Sequence, residues 1–235
     1  GMPKLTVVNS RMAFARALFN THPSFRPTRA LFIDFEGSGG GTEEVLSLYW
    51  PQNAGHNRFR WIWRAVPSAA MTQNQLFDSL GDLGCDMGRL EWAVVFSGGV
   101  LISDEQTRFE QLFGPRALPS VEWINLHKVL RTSTETKRHI RESRNVWFTG
   151  EKRVRYSLEA LEREFNIPRP PEIRSHSNSY RDRKAGGMNV LASIAAVNSG
   201  RADDNTKNAL FRYCVQDVRS MFDISRDSQK ILGIR

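Results

Sequence analysis

The apolar run Leu31-Phe32-Ile33-Asp34-Phe35-Glu36 ends in two acids and passes directly into Gly37-Ser38-Gly39-Gly40-Gly41. Side chains two apart on a strand share a face, so Asp34 and Glu36 project together from the strand end. Paired carboxylates are how a divalent-metal site begins, because Mg²⁺ and Mn²⁺ take hard oxygen ligands. A D-x-E pair alone is a weak signal, and its meaning depends on whether further acids arrive at fitting places.

The pattern around this run predicts an α/β fold. After the glycine turn, Val45 to Trp50 reads as a second strand and Phe59 to Val66 as a third, with Asn53-Ala54-Gly55 turning between them. Together the three form an antiparallel meander. In the third strand Phe59, Trp61, Trp63 and Ala65 alternate with Arg58, Arg60, Ile62 and Arg64, a half-buried pattern. A helix from Thr72 or Gln73 to Leu83, a buried strand over Trp92 to Phe96, a helix over Asp104 to Phe113 and a short strand over Val121 to Leu126 follow. The second half is mainly helical, at Ser157 to Phe165, Met188 to Asn198 and Asp204 to Ile224. Strands alternating with helices after a meander predict a mixed sheet of about five strands covered by helices. Ahead of it, residues 11 to 19 form a short helix with Ser10 as its cap, and Pro23 and Pro27 break the chain before the first strand. The expected division is residues 1–29 as helix and linker and 30–235 as one domain.

A chain of 235 residues suffices for a sizeable core. Its mean hydropathy is −0.44, and no apolar stretch approaches the roughly 18 residues of a membrane span. No signal pattern opens the chain, so a cytoplasmic location is expected. Cys85 and Cys214 are the two cysteines, far apart and without C-x-x-C spacing, which points to neither a disulfide framework nor a zinc site. A net charge of +8 with a pI near 9.9 directs attention to a polyanionic partner. The richest basic segments, Lys137 to Arg144 and Arg174 to Lys184, read as loops or short helices. The second carries His176, Tyr180, Arg181, Arg183 and Lys184, types that contact phosphates and stack on bases.

Near the C-terminus, Leu210, Cys214, Val218, Met221 and Phe222 form an apolar stripe of helical spacing. Tyr213 and Asp217, four apart, lie on its flank, where a buried face meets a cleft.

Taken in order, these segments resemble the DEDD family of 3′–5′ exonucleases, which have a ribonuclease H-like fold. Within it they are most similar to bacterial proteins described as predicted ribonuclease H-like or RecB-associated exonucleases. The family's D-x-E at the end of the first strand is matched by Asp34-Phe35-Glu36, and its late Y-x-x-x-D by Tyr213-Cys214-Val215-Gln216-Asp217. Between them, Trp123-Ile124-Asn125-Leu126, Ser157-Leu158-Glu159-Ala160-Leu161-Glu162 and Asn166-Ile167-Pro168-Arg169 are comparable to family segments. The match covers about residues 30 to 224. The middle acid departs from the common N-x-x-F-D pattern; Glu105, followed by Phe109, fits a subset with Glu in that place, and Asp104 is the alternative or a helix cap.

The resemblance implies a two-metal phosphodiesterase using Mg²⁺ or Mn²⁺. Asp34 would reach both ions, Glu36 and Asp217 would each help hold one, Glu105 or Asp104 would support the second, and Tyr213 would orient the attacking water. The implied reaction is hydrolysis of terminal phosphodiesters of DNA or RNA to nucleoside 5′-monophosphates. A noncatalytic ribonuclease H-like module that binds nucleic acid is the alternative reading, and an interaction scaffold a third. The glycine run lacks the G-x-x-x-x-G-K-[ST] phosphate-loop pattern, and the five histidines have no metal-ligand spacing.

Overall fold

The computed structural model describes residues 2–37, 43–52, 58–64, 71–98, 104–118, 120–147, 156–174 and 188–235. Five strands form one open mixed sheet in the order β3-β2-β1-β4-β5. They are β1 (Ala30–Gly37), β2 (Glu44–Tyr49), β3 (Phe59–Arg64), β4 (Trp92–Val95) and β5 (Glu122–Asn125). The first three pair antiparallel, and β4 and β5 run parallel to β1. Eight α-helices lie among the described residues. The architecture is α/β and compatible with a ribonuclease H-like arrangement.

Central β1 is buried on both sides from Ala30 to Asp34, which is why its sequence is nearly continuously apolar. Alternation sends Leu31 and Ile33 to one face, where they join Leu46, Leu48, Ile62 and Val95 beneath helices α2 (Gln73–Asp82) and α3 (Glu105–Phe113). Phe32 takes the other face with Tyr49 and Val94, packed against Val218, Met221 and Phe222 of a 28-residue helix, α8 (Asp204–Ile231). The second face carries Asp34 and Glu36, because register pairs them with Ser47 and Val45 of β2. At the end of β1, Gly37 has φ +145°, and a Cβ there would lie 2.6 Å from the Glu43 carbonyl oxygen, so the turn demands glycine. The rest of the glycine run, the Asn53-Ala54-Gly55 turn and residues 65 and 66 lie outside the described residues.

Several elements exceed their sequence signals. Helix α1 spans Met2–Thr21, so Ser10 is buried inside a helix and does not cap one. Phe14, Leu18 and Phe19 of α1 pack with Ile140, Phe165 and Val218, so this helix shares the core of the sheet. Lys137 to Arg144 belong to α5 (Thr134–Trp147), which follows α4 (Leu126–Thr132). Its buried Thr136 donates to the Ser10 carbonyl at 2.7 Å, and Ile140 enters the core, anchoring an otherwise charged helix to α1. Helix α8 continues past Ile224, and there Ser225 and Ser228 donate to the carbonyls of Met221 and Ile224, each at 2.7 Å, which satisfies their hydroxyls on the buried face. Helices α6 (Leu158–Glu164), capped by Ser157, and α7 (Val190–Asn198) complete the set.

Candidate metal centre

Four chain segments meet at the end of β1. Alternation along that strand presents Asp34 and Glu36 on one face, and α8 crosses the same face and lowers Asp217 onto it. Ligand oxygens of Asp34, Glu36 and Asp217 all lie within 4.8 Å of one another. Asp34 and Asp217 are only 8% and 6% exposed. Tyr213, one helical turn before Asp217, is buried beside them.

The fourth carboxylate is Glu105, the first residue of α3. Its carboxyl lies close enough to Asp34 for the Asp34 charge to act on it, second only to burial. Neighbouring Asp104 does something else: it caps α3, Oδ1 accepting from the Thr107 N–H at 3.1 Å, and stays exposed. Of the two acids at this position, the structure brings Glu105 to Asp34 and leaves Asp104 at the helix terminus.

Electrostatically the cluster is under load. Burial, then the Asp217 charge, pushes the Asp34 carboxyl well above the usual range. Burial and the charge of Asp34 do the same to Glu36 and Glu105. Burial followed by Asp217, Glu36 and Asp34 drives the Tyr213 phenol up, so it stays a neutral O–H. Asp34 Oδ2 and Glu105 Oε2 are buried with no hydrogen-bond partner. Native interiors leave few such atoms, and an acceptor-only carboxylate oxygen is satisfied by an N–H, a water or a cation. Asp34, Glu36 and Asp217, with Glu105 nearby, offer the hard carboxylate oxygens that Mg²⁺ and Mn²⁺ take.

One fixed cation touches the cluster among the described residues. Arg169, itself 7% exposed, donates from Nη2 to Asp217 Oδ1 at 2.6 Å and grips Glu162 through Nε at 2.7 Å and Nη2 at 3.0 Å. Its Nη1 reaches the Ile173 carbonyl at 3.3 Å, and its guanidinium lies 5.4 Å from the Tyr213 ring centre. Burial works against its charge, but Asp217 and Glu162 more than offset that and hold it firmly protonated. Glu162 also accepts from Gln216 Nε2 at 3.1 Å and from the Ser220 hydroxyl. Sequence reading gave Arg169 and Glu162 no role; the segments holding them were visible only as parts of a family-like pattern, and their partner Asp217 lies 48 residues beyond Arg169.

The other candidates stay apart. Among the described histidines, His22 pairs with Glu122, His139 with Glu164, and His127 packs on Phe96. Cys214 is buried on α8, and burial pushes the Cys85 thiol up to about 12, so both behave as inert thiols. Basic residues 175–184 lie outside the described residues. No protein-family model matches the chain, and no curated protein or solved structure matches it either.

Proposed function

We propose that this protein is a divalent-metal-dependent 3′–5′ exonuclease that hydrolyses terminal phosphodiesters of DNA or RNA to nucleoside 5′-monophosphates. The observation that carries the reading is the Asp34, Glu36 and Asp217 triad, its ligand oxygens within 4.8 Å of one another, with orphaned buried oxygens on Asp34 and on nearby Glu105. The 3′–5′ direction and the terminal cut rest on the resemblance of the D-x-E and Y-x-x-x-D segments to the DEDD family.

Asp34, Glu36, Glu105 and Asp217 would hold Mg²⁺ or Mn²⁺, and two such ions supply charge neutralisation at the phosphate and an activated water. Asp34 has Glu36, Asp217 and Glu105 as electrostatic neighbours, and the family resemblance gives it the ligand role common to both ions. Arg169 is bonded to Asp217 Oδ1. Tyr213 keeps its proton and offers an O–H with which to orient the attacking water. The +8 net charge favours a polyanionic substrate, with counterion release contributing to affinity. No described helix is long and apolar enough to cross a membrane. Two free cysteines suit a reducing compartment, and we assign the protein to the cytoplasm.

The test is incubation with 5′-end-labelled DNA and RNA oligonucleotides, with Mn²⁺ or with EDTA. Stepwise shortening from the 3′ end in Mn²⁺, absent in EDTA and in Asp217→Asn, is the expected result. Oligonucleotide binding without cleavage under every metal tried would overturn the enzymatic reading in favour of a binding module.

A further inference from the structure

The middle acid does not reach Asp34 unaided. Its helix begins after residues 99–103, which lie outside the described residues, yet the entry point of α3 is tied to the sheet by a short chain of hydrogen bonds. The Glu105 backbone N–H, the first of the helix, donates to Ser97 Oγ at 3.0 Å. Ser97 is in turn gripped from both sides by one amide. Its N–H donates to Asn125 Oδ1 at 3.0 Å, and its carbonyl accepts from Asn125 Nδ2 at 3.1 Å. Asn125 is the last residue of β5 and caps α4, its Oδ1 also accepting from the His127 N–H at 3.1 Å.

The arrangement has a structural logic. The parallel β4–β5 ladder ends at the Val95–Asn125 pair. Beyond it, the Asn125 amide acts as one more peptide unit and holds Ser97 in line with the sheet, which places the Ser97 hydroxyl under the start of α3. Gly98 completes the fit: a Cβ there would stand 2.9 Å from the His127 ring, so a larger residue would have to displace that imidazole. Two further ties hold α3. Asp104 caps it locally, and Arg108, three residues after Glu105, is ion-paired with buried Glu44 at the start of β2. Those contacts fix the helix body, whereas Ser97 is bonded to Glu105 itself.

We propose that Ser97 and Asn125 are positioning residues that set Glu105 against Asp34 and thereby complete the metal centre. This rests on the metal-dependent reading above. Partners that orient metal ligands typically matter by about 10- to 100-fold in metal affinity or activity. Ser97→Ala removes the acceptor for the Glu105 N–H and little else. Asn125→Asp keeps both acceptor bonds and replaces the donor facing the Ser97 carbonyl with a second oxygen.

The experiment measures Mn²⁺ affinity by calorimetry, kcat and KM on a labelled oligonucleotide, and melting temperature, for Ser97→Ala, Ser97→Thr, Asn125→Asp and Glu105→Gln, singly and with each of the first three combined with Glu105→Gln. Expected for Ser97→Ala is Mn²⁺ affinity and kcat about 10-fold lower with KM unchanged, partial recovery in Ser97→Thr, which keeps the hydroxyl, and a similar loss in Asn125→Asp. In the Glu105→Gln background the Ser97 and Asn125 changes should cost nothing more, because residues acting through one group are non-additive. Losses that add in full, unchanged Mn²⁺ affinity in Ser97→Ala, or a Ser97→Ala protein that no longer folds would each overturn the positioning role. If the unmodified protein binds no Mn²⁺, the metal-dependent reading itself fails and takes this inference with it.

Discussion

Replacing Asp34 by Asn is expected to stabilise the metal-free protein while removing its stabilisation by Mn²⁺. Ligand oxygens of Asp34, Glu36 and Asp217 lie within 4.8 Å of one another. Two unit charges at that separation repel by about 3.5 kcal/mol at an effective dielectric constant near 20. Arg169 offsets Asp217. Nothing comparable offsets Asp34, Glu36 and Glu105 among the described residues, and their carboxyl pKa values rise, chiefly through burial and then through one another and Asp217. A carboxyl with a raised folded-state pKa favours the fold while it is protonated. Its contribution is complete below the ordinary value of about 4 and is lost as pH climbs through the raised value. The metal-free protein therefore carries most strain at alkaline pH.

In Asp34→Asn the amide cannot ionise, and it can donate to the neighbouring carboxylates. The unmodified cluster already relieves itself in part by retaining protons, so the gain is less than one full pair, about 1–3 kcal/mol at pH 8. For a chain of this size that is roughly 2–10 °C in Tm. Thermal unfolding in EDTA from pH 4 to 8 should show the variant melting higher at pH 8 and the two proteins converging toward pH 4. With Mn²⁺ at about 100 times its Kd the unmodified protein gains about 2.7 kcal/mol and the variant little, so the order reverses. A variant that melts below the unmodified protein in EDTA at pH 8, or one that gains equally from Mn²⁺, would refute the argument.

Tyr213→Phe should leave Mn²⁺ affinity unchanged and slow turnover by about 10- to 100-fold, measured as kcat on a labelled oligonucleotide, since only the hydroxyl that orients water is lost. Asp104→Ala should cost about 1 kcal/mol of stability by denaturant titration, with Mn²⁺ affinity intact, because Asp104 caps α3 and does not enter the cluster. Arg169→Met should destabilise by about 3–5 kcal/mol in urea, because Glu162 and Asp217 are left as buried, uncompensated charges.

The sheet was legible because its strands carry their burial in their composition. Doubly buried β1 reads as a continuous apolar run, whereas the alternation of β3 misleads: Phe59, Trp61 and Trp63 are only partly covered, and Ile62, on the arginine side, is the buried residue. Asp34 and Glu36 were legible because a period of two fixes which face both occupy. Asp217 could be placed on a helix flank by its spacing from the stripe of Leu210 and Cys214. Other features left no local trace. Ser225 and Ser228 look like polar punctuation, yet by bonding the carbonyl one turn back they bury as apolar residues do, so α8 outruns its apolar pattern. Ile140 is a lone apolar residue in a charged stretch, and only its packing against α1 makes that stretch a core helix. The grip of Arg169 on Asp217 spans 48 residues and that of Asn125 on Ser97 spans 28, and neither has a sequence period that could announce it.

The charge distribution of the site follows from those long-range contacts. Four carboxylates gather near the end of β1, and the guanidinium that touches them among the described residues is already committed: Arg169 spends Nε and Nη2 on Glu162, Nη2 on Asp217 and Nη1 on a backbone carbonyl. It therefore fixes the geometry of one carboxylate without neutralising the rest. A phosphodiester approaching Asp34, Glu36 and Glu105 would meet like charge wherever these are ionised, although the protein as a whole carries +8. The basic surface can attract a polyanion to the protein and still not seat it at the carboxylates, because exposed charges are screened within about 10 Å at 0.1 M salt whereas buried ones are screened much less. Seating the phosphate requires positive charge at the cluster itself. The orphaned oxygens of Asp34 and Glu105 are where a divalent cation would supply it, which joins the electrostatics of the fold to metal-dependent chemistry.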